Sequence, residues 1–161
     1  MTLENIKLDV EYVRSQFPAF KDPLSKVWSF FENAGWRYVP INVINKLSSK
    51  YNLEIIDYTV APVFMEKNKK GAHQWFIEFK NIPSEKINIA QIIDEELKLE
   101  NSDYDAKRYN DFTLKKPEII ISKRGVFLKW LELNNKMGGQ NKIPRLSNER
   151  KFIESLIELN N

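Results

Sequence analysis

The sequence of 161 residues contains no cysteine and a single histidine, His73. These two counts exclude disulfide scaffolds, thiol nucleophiles, iron–sulfur clusters and zinc sites built from cysteine and histidine. A serine–histidine–aspartate mechanism would have to use His73. No apolar run approaches the length of about 18 residues that a membrane span requires. Because cysteine and a basic-then-apolar N-terminus are both missing, we expect a protein of the reducing cytoplasm with no membrane partner.

The net positive charge of the chain is also small. The chain has 25 basic and 22 acidic residues, a net charge of +3, which does not predict a nucleic-acid partner. Phosphate-binding loops of the Walker or dinucleotide type are absent. Hydrophobic residues make up 42% of the chain and charged residues 29%, and ten phenylalanines are among the aromatic residues. This composition is typical of a soluble folded domain and argues against disorder.

The order of predicted elements indicates the fold class. Residues 53–65 and 72–80 are rich in β-branched and aromatic residues and predict a hairpin. Helices are predicted after Asn88 and Ser102-Asp103, from Arg124 to a stop at Gly138-Gly139, and after a cap at Ser147; a third strand is predicted at 118–122. A hairpin followed by only one later strand predicts an α+β fold, with a small mixed sheet packed against about four helices.

The first third of the chain has a different pattern. It predicts a short helix at 9–17, a strand at 27–31, and a helix from Pro40 to about Tyr51. We therefore expect a boundary near residues 48–52, which divides the chain into an N-terminal segment, 1–48, and a domain, 49–161.

The most unusual stretch is Lys136-Met-Gly-Gly-Gln-Asn-Lys-Ile-Pro-Arg145, which holds two glycines, two lysines and an arginine. Glycines give the backbone freedom, Lys142 is a compact charge on a flexible stem, and Pro144 stiffens the end of the loop. Such a loop is suited to bringing a cation to a phosphate. A plain connection between two helices explains the same composition, so the pattern alone leaves both interpretations open.

Three further features have structural interpretations. Asp103 and Asp105 are spaced to form ion pairs with Lys107 and Arg108 along one short helix. Glu78, inside an apolar strand, is expected to face outward and pair across the hairpin, because a buried carboxylate without a partner is costly. A surface or hydrogen-bonded role is expected for His73. No pair of carboxylates stands out as a general acid and base.

Residues from about 53 to 159 resemble the C-terminal domain of the Gretchen Hagen three family, the acyl-acid amido synthetases of plants and their bacterial relatives. Four ordered blocks carry the resemblance: Asp57-Tyr-Thr-Val-Ala-Pro62, Gln74-Trp-Phe-Ile-Glu-Phe79, Asn101-Ser-Asp-Tyr-Asp-Ala-Lys-Arg108 and Gly138-Gly-Gln-Asn-Lys-Ile-Pro-Arg-Leu-Ser-Asn148. The last block, with its Gln-x-Lys-x-Pro-Arg core, is the most specific.

The resemblance implies a function. The family forms acyl-adenylates from a carboxylic acid and ATP and transfers the acyl group to an amine, and its small C-terminal domain is a mobile lid. Lys142 matches the lid lysine that contacts the adenylate phosphate, while Gln140 and Arg145 would position the loop or the nucleotide. The large ATP-binding domain is missing. We therefore expect no cofactor on this chain alone, with ATP and magnesium only beside an adenylating partner domain, and a small carboxylic acid or its adenylate as the other partner.

Residues from about 8 to 47 are similar to the start of class V aminotransferases and cysteine desulfurases. The similarity rests on Val13-Arg-Ser-Gln-Phe-Pro18 and Trp28-Ser-Phe-Phe-Glu-Asn-Ala-Gly35, and it departs from that family at Glu32 and Trp36. The cofactor lysine and the pyridoxal-phosphate pocket of that family are missing. Two alternatives to an adenylate-forming lid therefore stand: a non-catalytic remnant or interaction module, and a fragment of a pyridoxal-phosphate enzyme.

Overall fold

The computed structural model describes residues 39–65, 70–111, 114–138 and 143–161. The helix predicted at 9–17 and the strand predicted at 27–31 lie outside these residues. All of the described residues belong to one compact unit, Trp36–Asn161. No helix within the described ranges is both long enough and apolar enough to cross a membrane.

The described part of the chain forms five α-helices and three β-strands, and a single 3₁₀ turn follows the third helix. In chain order they are α1 Val39–Tyr51, β1 Ile55–Val63, β2 Ala72–Phe79, α2 Ile89–Glu100, α3 Ser102–Arg108, β3 Glu118–Ile121, α4 Val126–Leu133 and α5 Lys151–Asn160. The predicted α+β class is confirmed.

The sheet has the strand order β1-β2-β3. β1 pairs with β2 in antiparallel orientation as the predicted hairpin, and β2 pairs with β3 in parallel orientation, so the sheet is mixed as predicted. Every residue of the central strand β2 is buried except Gln74, which is partly exposed. A strand covered on both faces favours apolar side chains, and five of the eight residues of β2 are aliphatic or aromatic.

The two faces of the sheet carry different helices. Phe76 packs on one face in a cluster with Phe127 of α4 and Leu156 of α5. Neighbouring side chains of a strand point to opposite faces, so Trp75 and Ile77 belong to the other one. The ring of His73 also lies on that second face, where it packs against Tyr104 of α3 with 5.3 Å between ring centroids.

Asparagine side chains cap two of the helices. Asn88 accepts a hydrogen bond from the backbone N–H of Gln91 at 3.0 Å, which confirms the predicted cap of α2. For α3 the predicted cap at Ser102-Asp103 is wrong, because Asn101 accepts the bond from the N–H of Tyr104 at 2.9 Å. The backbone N–H of Asn101 also closes the last turn of α2. One residue therefore ends one helix and begins the next.

Two predicted helix ends are wrong. α4 ends at Leu133, before Gly138-Gly139, because Asn135 takes the left-handed conformation with φ of 54° and the N–H of Lys136 bonds back to the Leu131 carbonyl at 2.8 Å. Asparagine tolerates that conformation better than most residues.

The predicted cap at Ser147 is wrong as well. Its hydroxyl accepts a bond from the N–H of Glu149 at 3.1 Å and donates one to the Glu149 carbonyl at 2.8 Å. These bonds form a turn, and α5 begins only at Lys151 with no side-chain cap. Ser147 therefore shapes the chain before the helix instead of capping it.

A buried ionic cluster joins α2 to α3. Asp94 has no exposed surface and binds the Arg108 guanidinium through both oxygens, at 2.6 and 3.0 Å. Lys98 and the Tyr104 hydroxyl complete the cluster at 2.8 and 2.7 Å. Burial alone would raise the pKa of Asp94, but the bonds from Arg108, Lys98 and Tyr104 outweigh it and lower that pKa to about 2. The predicted pairing of Asp105 with Arg108 is wrong, because Arg108 points inward; the pairing of Asp103 with Lys107 is present at 2.6 Å.

The ionic cluster yields a stability prediction. Asp94→Asn should lower the free energy of unfolding by about 3–5 kcal/mol, because it leaves the buried charge of Arg108 without its counter-charge. Asp103→Asn breaks a partly exposed pair on the adjacent helix and should cost less than about 1 kcal/mol. Urea unfolding of both variants is the measurement. Equal losses would show that the burial of Asp94 contributes nothing special.

His73 yields a prediction about pH. Its side chain is buried, and burial, with a smaller effect of the nearby Lys107, lowers the pKa of His73 to about 3. The unfolded chain takes up this proton near pH 6.5, so stability should fall as the pH drops below that value. The slope should be at most about 1.4 kcal/mol per pH unit.

His73→Gln should remove this slope between pH 6.5 and 5. The carboxylates with lowered pKa values in the described ranges belong to Asp94, Glu96 and Glu100, and their contribution to stability is lost only at lower pH. Urea unfolding across this pH range measures the effect. A slope that persists in the variant would exclude His73 as its source.

Helix α1 packs on α2 through apolar and ionic contacts. Val43 and Leu47 are fully buried, and Glu96 of α2, 2% exposed, binds the ammonium groups of Lys46 at 3.1 Å and Lys50 at 2.8 Å. Both cations that bind the buried Glu96 carboxylate therefore come from α1. Without α1 this charge would lose both of these partners, which is costly for a buried group. The boundary near residues 48–52 stays a prediction, which truncation can test.

Two truncated chains make this test. Because Val43 and Leu47 are buried, residues 50–161 should unfold at a clearly lower temperature than residues 36–161, with a cost of roughly 2–5 kcal/mol for each lost apolar side chain. Thermal unfolding followed by circular dichroism measures the difference. Equal unfolding temperatures would show that α1 is dispensable and would support the boundary after it.

Candidate functional site

The segment from Lys136 to Ser147 is described at both ends. At its start, Gly138 has φ of +84°, a conformation that other residues rarely adopt, and a Cβ there would meet no atom within 4 Å. Open space and a left-handed backbone together indicate an exposed turn that glycine permits. Gln140 and Lys142, two of the predicted site residues, lie outside the described residues.

The end of the segment is fixed to the fold. Ile143 is 8% exposed and belongs to the apolar cluster around Phe76. The buried hydroxyl of Thr59 donates a hydrogen bond of 2.6 Å to the carbonyl of Pro144. Ile143 therefore anchors the chain in the core, and Thr59 holds the next residue against the sheet.

Backbone bonds continue this attachment along the outer edge of β1. The N–H of Val60 donates to the Arg145 carbonyl at 3.1 Å, and the N–H of Ser147 donates to the Val60 carbonyl at 3.0 Å. Val60 and Leu146 thus form a parallel bridge, which adds a short extra ladder beside β1. These bonds satisfy edge groups that would otherwise be free. We call the contacts between β1 and Pro144–Ser147 the β1 clasp.

The side chain of Arg145, the third predicted site residue, also takes part in the β1 clasp. Its Nη1 binds the Asp57 carboxylate and donates to the Tyr58 carbonyl at 3.2 Å. The guanidinium lies over the Tyr58 ring, 4.8 Å from its centroid, in cation–π geometry. A side chain held by a charge, a carbonyl and a ring has little freedom, although it is 44% exposed.

Titration of the two partners reflects this environment. Burial is the main reason that the pKa of Asp57 lies above its usual value, although the guanidinium of Arg145 and the N–H of Tyr58 act against that rise. Burial also raises the pKa of Tyr58 to about 12. Both groups therefore lie in a poorly hydrated part of the sheet edge, where a charge interaction is stronger than in open water.

Glu78 lies on β2 opposite Asp57, and the prediction for its side chain is wrong. It is the register partner of Asp57, but it does not face outward or pair across the hairpin. Its side chain is 2% exposed, and Oε1 accepts a bond of 2.7 Å from the N–H of Gly125, at the start of α4. The positive end of the helix dipole stabilises a carboxylate there. Glu78 thus joins the sheet to α4.

A groove of about 580 Å³ adjoins both described ends of the loop. Lys136 lines it on one side and Pro144 on the other. The remaining wall comes from α4 and α5, where the rings of Trp130 and Phe152 meet edge to face at 4.7 Å. The ammonium of Lys136 lies over the Trp130 ring at 4.9 Å. A groove with aromatic walls and charged rims therefore lies beside the loop.

The described residues hold no group of three or more acidic or histidine side chains that could bind a metal ion. The carboxylates of the region have other partners, since Asp57 binds Arg145 and one oxygen of Glu78 binds the start of α4. These donor sets do not fit a divalent cation, which needs several oxygen ligands together.

Sequence reasoning identified Arg145 but not its partners. Asp57, Tyr58 and Thr59 belong to one of the four blocks that carry the family resemblance, but the sequence assigns them no role. A signal was available: a charged and a hydroxyl residue, Asp57 and Thr59, stand at alternate positions and so share one face of an otherwise apolar strand.

The fold and the anchored loop define a small α+β domain in which a glycine-containing basic segment is attached to a sheet edge. Residues 41–151 match the model of the GH3 family C-terminal domain. The match covers most of the chain, and the chain therefore belongs to the GH3 family as a C-terminal domain.

Solved structures support the same fold. The chain is similar to a GH3.15 acyl acid amido synthetase, with a TM-score of 0.53 and 20% identity over 76% of this chain. A second structure, AtGH3.15 acyl acid amido synthetase in complex with 2,4-DB, gives a TM-score of 0.54 and 19% identity over 76% of this chain. In both cases the match spans 23% of the synthetase chain, so this chain corresponds to about a quarter of those proteins. No curated protein sequence matches it.

Proposed function

We propose that this chain is the lid-type domain of an acyl-adenylate-forming amido synthetase, and that it works beside an adenylating domain. The family membership over residues 41–151 is the observation that carries this proposal. The β1 clasp supports it, because a loop that delivers a charge to a reaction needs at least one end held by the fold.

Lys142 is the residue to which this proposal assigns the chemistry. Its ammonium would stabilise the negative charge that develops on the nucleotide phosphate while the acyl-adenylate forms. The nucleotide and its magnesium ion would be held by the adenylating domain. Because the lysine would reach the phosphate only when the lid closes, its charge would act in the transition state more than in the ground state.

A panel of small carboxylic acids in an ATP–pyrophosphate exchange assay tests the proposal. We expect no exchange by this chain alone and exchange when an adenylating domain is supplied, either fused to it or as a separate chain. Exchange by the isolated chain would contradict the division of labour between two domains.

Lys142→Ala should lower adenylation by roughly 10²–10³-fold, the scale for one preorganised contact in a transition state. If Lys142 has no part in folding, the same substitution should change the free energy of unfolding by no more than about 0.5 kcal/mol. Lys136→Ala is the matched control, since it has the same charge, starts the same loop and contacts Trp130 at the groove. Equal losses in the two variants would show that the charge of the loop as a whole matters and that Lys142 has no specific role.

An interaction module without catalysis is the second candidate. The groove between α4 and α5 and the exposed Leu133 and Met137 nearby, 63% and 53% exposed, favour it, because apolar side chains at a groove are typical of docking surfaces. The exchange assay separates the two candidates. A chain that binds an adenylating domain without raising its rate would support the module.

The resemblance of residues 8–47 to class V aminotransferases stays a prediction, since the family match begins at residue 41. The absorbance of a lysine–pyridoxal adduct tests it directly. We also expect, without a structural test, that the protein acts in the cytoplasm.

A further inference from the structure

We propose that Asp57 and Arg145 are positioning residues whose ion pair holds Pro144–Ser147, the residues that follow Lys142, against β1, so that Arg145 fixes the end of the loop and does not bind the nucleotide. This inference deepens the proposed function and rests on it for its catalytic consequence. Its structural part concerns the attachment of the loop and can be tested on the isolated chain.

The contacts of Arg145 favour attachment of the loop. Its Nη1 is shared between the Asp57 carboxylate and the Tyr58 carbonyl, and its guanidinium carbon lies over the Tyr58 ring, 4.8 Å from the centroid. An arginine that binds a phosphate needs its donors directed outward as a fork, and a carboxylate on the same nitrogen reduces its positive field. The guanidinium is thus already engaged by β1.

The ion pair lies close to Lys142 along the chain. Arg145 stands three residues after Lys142. The backbone bonds of Val60 to Arg145 and Ser147 are the ladder that fixes this stretch, and Asp57 binds the Arg145 side chain from the same strand. At the other end of the loop, Gly138 has a left-handed backbone, and a Cβ there would meet no atom within 4 Å. The described contacts of the loop with β1 therefore all lie after Lys142, at the end of the loop.

The two roles of Arg145 predict opposite effects of one substitution. If Arg145 met the nucleotide, Asp57→Asn would free its guanidinium and remove a negative charge near the phosphate, so nucleotide binding would improve or stay unchanged. If the pair holds the loop, Asp57→Asn weakens the β1 clasp. The turnover would then fall while the KM for ATP stays unchanged, because Lys142 is misplaced and nucleotide contacts are intact.

Limited trypsin digestion of the full chain tests the structural part without any activity. Cleavage after Lys142 requires the following residues to leave β1, so its rate reports opening of the β1 clasp. Asp57→Asn should raise the rate at the Lys142–Ile143 bond roughly three- to tenfold, the range for losing a partly exposed charged hydrogen bond. Cleavage at Lys98–Leu99 in α2 serves as the internal control for global unfolding.

Variants complete the design. Asp103→Asn breaks another carboxylate–cation pair, that with Lys107 on α3, and should leave both cleavage rates unchanged. Asp57→Glu keeps the charge and should restore much of the protection. If Asp57→Asn does not fold, Arg145→Gln breaks the same ion pair from the other side and should likewise raise cleavage at Lys142–Ile143.

Three outcomes overturn the inference. An unchanged rate at Lys142–Ile143 in Asp57→Asn would show that the ion pair does not hold the loop. Equal acceleration at Lys98–Leu99 would show that the pair stabilises the whole fold and not the loop. A raised KM for ATP in Arg145→Gln with unchanged protection of Lys142–Ile143 would show that Arg145 binds the nucleotide and does not hold the end of the loop. Failure of the proposed function instead appears as a normal trypsin result together with no effect of Lys142→Ala on adenylation.

Discussion

The burial of β2 on both faces is the constraint on which the rest of the structure depends. A strand without an exposed face has to be covered by two separate layers, and its own sequence cannot supply them. On one side the layer consists of α4, α5 and Ile143, which pack around Phe76. On the other side Tyr104 of α3 covers His73. Helices that lie on either side of β3 in the sequence, α3 before it and α4 and α5 after it, are therefore needed before the central strand is stable.

The same constraint explains where polar groups are found inside the domain. Asp94, Glu96 and Glu78 are all buried, yet each has partners that stabilise its charge: Arg108 and Lys98, Lys46 and Lys50, and the N–H of Gly125. Apart from the bond of Lys98 within α2, each of these contacts joins two different elements. Burying an ion pair adds little net stability, but losing one partner is costly, so such pairs fix which elements meet.

The sequence allowed the elements to be predicted far better than the connections between them. Strand positions, the fold class and the cap at Asn88 follow from local patterns, because side-chain alternation and a three-residue capping interval are local properties. Glu78, Arg108 and Ser147 were misjudged for a common reason. The sequence pattern predicted a nearby partner of suitable charge or spacing for each of them. The tertiary fold, or for Ser147 a local turn, provides a different partner. Spacing along one helix does not indicate that Arg108 points toward another helix.

The candidate site follows the same division. The composition of the loop, with its glycines and Lys142, is visible in the sequence, and so is Arg145. The β1 clasp is not, because Asp57 and Thr59 lie more than 80 residues before the groups that they bind. The glycine and the β1 clasp have opposite effects on the loop. Glycine at the start of the loop lowers the cost of moving it, whereas Ile143 and the bonds to β1 limit where it can go. The proposed function would need both properties, since a loop free at both ends would lose entropy on closing and a loop fixed at both ends could not close.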